Sequence, residues 1–330
     1  MFNRENTAQP QNILLAREVA VGITATLMFF ISVLLIPMVG IFIGVFTPLP
    51  TLLSYFRWGY PVGLYIPGGA VLGGLVLFSS LGMAQSLPYL IELLLLGLIL
   101  GMGMRRDWSL EKTISAASLM IFMVGALFFL LTQNSLSGGV FQGLEEGLRE
   151  AVKLTLQQYA GVTPEARILE ETLATMIPVV VRVLPGACLA SALVMSWLNL
   201  LVAKRYCNVR QLPLPAWETW LHWKAFEQLV WVVIGCGFAL LIPIQPVKLV
   251  ALNLLIVLGT VYFFQGLAII TFYFERWNLP RILRAIFYGF LLLQQLASLG
   301  AVLLGFFDVW FDFRRLSKDS ASSANIEQGR

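Results

Sequence analysis

The sequence predicts an all-α fold, a polytopic transmembrane helical bundle of about eight or nine spans with an external amphipathic helical insertion. Three observations carry that expectation. Hydrophobic residues make up 58% of the 330-residue chain and charged residues 12%, against about 25% charged in an ordinary soluble domain. The mean hydropathy is +0.81. The apolar residues also gather into runs long enough to cross hydrocarbon, separated by short basic clusters.

Taken in order, the chain opens on a polar stretch, "MFNRENTAQPQNILLARE". The apolar run that follows is too long for the core of a signal peptide, so no removable leader is expected. Nine apolar runs cover roughly 19–36, 39–56, 61–80, 88–104, 113–132, 176–203, 226–243, 248–274 and 283–307. The second contains Pro48 and Pro50. Proline removes a donor and clashes with the preceding turn, so this run is expected to be kinked or partly unwound and buried against protein.

Basic residues set the orientation. Arg57, then Arg105, Arg106 and Lys112, then Lys204, Arg205, Arg210 and Lys224, then Arg276, Arg281 and Arg284 fall in alternate loops. They should face the cytoplasm. The intervening loops fit, since "LGMAQSL" is uncharged and 133–175 is net acidic. Two expectations conflict at the end. Nine crossings place Arg314, Arg315 and Lys318 outside, whereas their charge favours the cytoplasm.

The membrane domain is expected to run over residues 1–316 as one unit, with the insertion at about 133–175. There Phe141, Leu144, Leu148, Val152, Leu156 and Tyr159 recur at three-four spacing, with Glu145, Glu146, Arg149, Glu150 and Lys153 off the stripe. Next come Thr163 as a cap, Pro164 at the first helical position and Glu165 beside the helix dipole. Two helices on the outer surface follow, read either as a passive interfacial loop or as a lid over an outward-opening cavity. Residues 317–330 form a polar tail with the composition of disorder.

Composition also excludes functions. The net charge of +4 comes from basic clusters between apolar runs, which are topology signals, so no nucleic acid partner is expected. GxxxxGK[ST], HExxH and CxxC are absent and His222 is the single histidine, so neither a nucleotide site, a metal nor any cofactor is expected. Cys188, Cys207 and Cys236 read as reduced structural thiols.

Small residues four apart let helices approach closely, at Ala16 and Ala20, Gly40 and Gly44, Gly69 and Gly73, and Gly97 and Gly101. Ala16 and Ala20, at the cytoplasmic start of the first helix, are candidates for docking a partner. Glu92 and Arg182, each one or two turns into a span from the outer side, are ligand-site candidates. They would either pair or snorkel separately. Asn199, Asn253, Gln265, Gln294 and Gln295 are weaker signals, since an amide in a span usually bonds a neighbouring helix.

In "GFFDVWFDFRRL", Asp308 and Asp312 stand one turn apart beside Trp310, with Arg314 and Arg315 following. The two aspartates should share a face while the arginines complement the dipole and pair back. This motif, with "PLPTLLSYFRWG" and "YFFQGLAII", resembles the YybS-like family of bacterial multi-pass membrane proteins of unknown function. That family is in turn similar to the substrate-binding S-components of energy-coupling-factor transporters, through an AxxxA first helix, a proline-containing second and a glycine-rich third. The resemblance implies a chain in the bacterial cytoplasmic (inner) membrane, working with a membrane coupling protein that Ala16 and Ala20 would contact, and with separate ATPase subunits. Arg17 within the AxxxA departs from the apolar pattern.

Three functions are weighed. The leading one is a non-catalytic small-molecule-binding or transport-related subunit. The second is a structural or assembly factor without a ligand. An intramembrane enzyme, resting on Glu92, Asp308 and Asp312 alone, ranks last.

Overall fold

The computed structural model describes residues 8–133, 140–159, 164–215, 217 and 220–314. Every regular element among them is helical, and the fold is a polytopic helical bundle. Two compact units emerge, Met1–Ser135 with Ser191–Trp217, and Leu136–Ala190 with Glu218–Arg330. The tail at 317–330, Arg315 and the Thr163 cap lie outside the described residues.

The first unit holds α1 (Ala8–Leu35), α2 (Pro37–Gly44), α3 (Leu49–Trp58), α4 (Tyr65–Ser80), α5 (Leu87–Arg105) and α6 (Leu110–Gln133). It also takes the last part of α8 (Pro164–Val209). The chain folds back at Ile36, where Pro37 starts α2, and Gly40 lies so close to the Ser32 carbonyl that a side chain would overlap it. Gly69 and Gly73 meet Ile23 and Leu27 of α1, while Gly97 and Gly101 meet the Pro48 and Leu52 carbonyls. The glycine pairs of the sequence are therefore packing faces within this chain. Between α1, α4 and α5 sits a core of Phe30, Ala70, Phe78, Leu90 and Leu94. The Phe30 and Phe78 rings are 5.3 Å apart.

Basic ends converge in this unit. Arg57 at the end of α3 pairs with Glu18 near the start of α1 at 2.7 Å. Arg105 Nη1, at the end of α5, donates to the Phe56 carbonyl at 3.1 Å. Guanidinium groups here satisfy carbonyls that a helix end leaves open.

The second unit holds α7 (Val140–Tyr159), the first part of α8, α9 (Leu229–Leu241), α10 (Gln245–Arg276), α11 (Arg281–Leu293) and α12 (Gln295–Phe311). Two expected spans differ here. The run at 226–243 becomes α9, with 13 residues. At 1.5 Å per residue that is about 20 Å, short of a hydrocarbon core of about 30 Å. The run at 283–307 becomes two helices bent by 101°.

That pair starts and finishes at the same end of α10. Arg284, in the first turn of α11, donates to the Phe274 carbonyl at 3.1 Å, and Phe287 packs on Phe274 at 5.1 Å. Beyond α12, the Phe313 carbonyl accepts from the Tyr273 hydroxyl at 2.9 Å. Among the described residues, seven helices are long and apolar enough to cross a membrane, or eight if the bent pair counts as one. Eight meets the lower end of the expected range, and seven falls one short of it.

Candidate functional site

The most charged buried cluster closes the second unit. It begins with two glycines. A Cβ on Gly305 would overlap the Tyr262 carbonyl, and one on Gly266 would overlap the Ala301 carbonyl, so the backbones of α10 and α12 touch. This contact brings Asp308 beside Gln265, both fully buried. Asp308 Oδ2 accepts from Gln265 Nε2 at 2.9 Å and from Arg314 Nη2 at 2.9 Å, while Oδ1 accepts from the Phe313 amide at 2.9 Å. Arg314 Nη1 donates to the carbonyls of Leu221 at 2.7 Å and Trp223 at 2.9 Å. Gln265 Oε1 accepts from the Ala225 amide at 3.2 Å. A buried carboxylate is thus neutralised and nearly saturated with donors, the condition under which burial is tolerated.

Asp312 stands one turn from Asp308, its amide donating to the Asp308 carbonyl at 3.0 Å, but it is only half-buried where Asp308 is fully buried. The helix ends at Phe311, and Asp312 turns to a left-handed backbone, φ 42 and ψ 59. That turn is what swings Arg314 back to Asp308. Trp310 and Phe311 stay exposed, with Trp310 packed on Phe306 at 5.1 Å. Such rings suit a membrane interface.

A second polar feature repairs α8. Pro185 sits inside that helix, a position that disturbs the backbone ladder. Asn253 of α10 inserts there. Its Oδ1 accepts from the Gly186 amide at 2.5 Å, and its Nδ2 donates to the Arg182 carbonyl at 2.9 Å. One amide side chain therefore bridges the donor and acceptor that a continuous helix would pair directly.

The first unit has its own interruption, between α2 and α3. Asn199 of α8 donates to the Val45 carbonyl at 2.8 Å and to the Met195 carbonyl at 2.8 Å. Thr47 and Thr51 are fully buried beside Pro48 and Pro50. Thr47 Oγ1, Thr51 Oγ1 and Asn199 Oδ1 find no hydrogen-bond partner.

Glu92 is half-buried on α5 in the first unit, its carboxylate against Gly125 of α6, where a Cβ would stand 2.7 Å from Oε1. Arg182 is exposed on α8 in the second unit. Among the described residues neither side chain makes an ion pair. Ala16 and Ala20 are both exposed on α1. Between α7 and the start of α8 lies a cavity of about 580 Å³, lined by Arg149, Glu150, Lys153, Glu170, Ala174 and Ile177 among others. No group of three or more His, Cys, Asp or Glu side chains able to hold a metal occurs among the described residues.

Sequence reasoning placed Asp308 and Arg314 together but gave Gln265 and Asn253 little weight. Their signal was an amide in a span with a proline or a charge elsewhere to serve, and only the contacts reveal which.

Apolar helices of spanning length, interrupted and then satisfied by side chains of neighbouring helices, define an integral, multi-pass helical membrane protein embedded in the lipid bilayer. The chain belongs to the family described as predicted membrane protein (DUF2232), which it matches over residues 23–309. No curated protein matches it, and no solved structure does.

Proposed function

We propose that this chain is a non-catalytic subunit of the bacterial cytoplasmic membrane that binds a small molecule or helps to move one, as the resemblance to the YybS-like family and to S-components implies. One observation carries the reading. Two apolar segments depart from regular helix: α2–α3, a single span that tightens into three-residue turns around Pro48, and α11–α12, bent around Gln294. Irregular backbone at membrane depth persists where it is buried in protein or lines a cavity, and broken helices build substrate and ion sites in transporters.

In this reading separate ATPase subunits supply the energy through a membrane coupling protein, because the sequence has no nucleotide-binding loop. The exposed Ala16 and Ala20 form the docking strip. The cavity between α7 and α8 is the ligand's way in, with Arg182 of the same unit a candidate contact, while Glu92 is a separate candidate on the first unit. The assembly-factor reading is favoured by one fact, that Asp308 and Arg314 spend their charges on each other.

Capture of the tagged chain from native membranes, followed by mass spectrometry, separates the two. The transport reading expects an ATPase pair with a membrane coupler, lost in Ala20→Trp while the fold is retained. A single unrelated partner, captured equally by wild type and variant, supports assembly instead.

A further inference from the structure

We propose that the interruption between α2 and α3 binds a small monovalent cation, sodium in the first instance, through Thr47 Oγ1, Thr51 Oγ1 and Asn199 Oδ1. The three residues are fully buried, and each of these oxygens lacks a hydrogen-bond partner. Buried polar atoms are nearly always satisfied, so two orphans at the break, with a third on the Asn199 amide that bonds the Val45 carbonyl there, ask for an occupant.

Other helical threonines behave differently. Thr24, Thr26, Thr113, Thr260 and Thr271 each donate to the carbonyl four residues back. Thr51 does not, although it stands four residues after Thr47. Asn199 is fixed by its donors, both of which go to carbonyls, so its oxygen is left to accept.

The balance of donors points to a cation. Pro48 and Pro50 bring no N–H to the break, and its carbonyls are already taken, Pro48's by the Leu52 amide and Val45's by Asn199, so no backbone donor reaches the three oxygens. All three groups are neutral oxygens, which suits a hard ion of single charge better than a divalent or a thiophilic metal. The space is small, since α5 closes it: a Cβ on Gly97 would lie 3.0 Å from Thr51 Cβ. The inference goes beyond the transport reading and does not depend on it, because a bound ion can hold a fold that moves nothing.

The test is thermal unfolding of the purified full chain in detergent, in sodium chloride against choline chloride at equal ionic strength. Sodium should stabilise specifically and saturably, shifting the folding equilibrium about 100-fold when its concentration is about 100 times Kd. Thr47→Val and Thr51→Val, each close in shape, should lose the sodium response. Thr26→Val, which removes a buried hydroxyl already bonded to the Gly22 carbonyl, should keep it. Equal wild-type stability in the two salts overturns the proposal and leaves an ordered water as the occupant. A sodium response that survives in both break variants overturns it as well, by placing the ion elsewhere. Should one break variant fail to fold, loss or survival of the sodium response in the other decides the matter.

Discussion

Replacing Asp308 by asparagine should be among the most damaging conservative changes in the chain. The Arg314 and Asp308 side chains are 0% and 1% exposed, so removing the carboxylate leaves a guanidinium with no counter-charge in a dry site. Breaking a buried pair from one side costs about 3–5 kcal/mol. That is a large share of a total stability of about 5–15 kcal/mol. The asparagine amide would also turn its NH2 either at Gln265 and Arg314 or at the Phe313 amide, all of which are donors. Arg314→Met should cost a similar amount, since it strands the carboxylate and takes a donor from the Leu221 and Trp223 carbonyls. The double variant removes both charges, so it should be milder than the sum by about 2 kcal/mol. Chemical unfolding in mild detergent measures all three variants. The coupling should resist high salt, unlike the exposed Arg57–Glu18 pair, at 40% and 44% exposure, which should contribute under about 1 kcal/mol and fade with salt. Single effects below about 1 kcal/mol, or additivity within about 0.5 kcal/mol, would refute a dry, coupled pair.

Two further outcomes follow from packing and backbone repair. Asn253→Leu leaves the Gly186 amide and the Arg182 carbonyl without their bridge, and should cost roughly 1–3 kcal/mol for each stranded group, read by the same unfolding assay. Gly305→Val drives a side chain into the Tyr262 carbonyl, so it should separate α10 from α12 and destabilise by about 1–3 kcal/mol or more, whereas Gly300→Ala, with open space at its Cβ, should be within about 0.5 kcal/mol of wild type.

The helices were legible because hydrophobic run length is a one-dimensional property. Proline at Pro48 and Pro50 announced the α2–α3 interruption, and the spacing of "GFFDVWFDFRRL" announced a charge-capped helix end. The α11–α12 bend was not announced, because Gln294 and Gln295 sit between apolar residues with no proline or glycine beside them. Nor could spacing show that Asp312 leaves the helix, since only its left-handed backbone separates it from Asp308. The amides were visible as residues but not as partners. Gln265 serves a charge 43 positions away and Asn253 a backbone gap 67 positions away, and pairings over such distances are set by packing alone. Gly266 and Gly305 went unnoticed for the same reason, because each contributes one small residue to a contact between two helices.

Since α9 starts beside the end of α10, where the His222 and Phe272 rings lie 6.4 Å apart, and α11–α12 returns to that same end, the fold puts Arg314 on the side where α9 begins. A compartment reporter joined after Leu316, compared with one placed after Arg106, tests this most directly, with a third reporter in 133–162 as the opposite-side control. The fold predicts that the first two report the cytoplasm and the third the exterior, with the last apolar run entering and leaving on one side. An external signal after Leu316, with the other two reporters as predicted, would mean that the run crosses fully and that the contacts of Tyr273 with Phe313 and of Gln265 with Asp308 do not hold in the membrane.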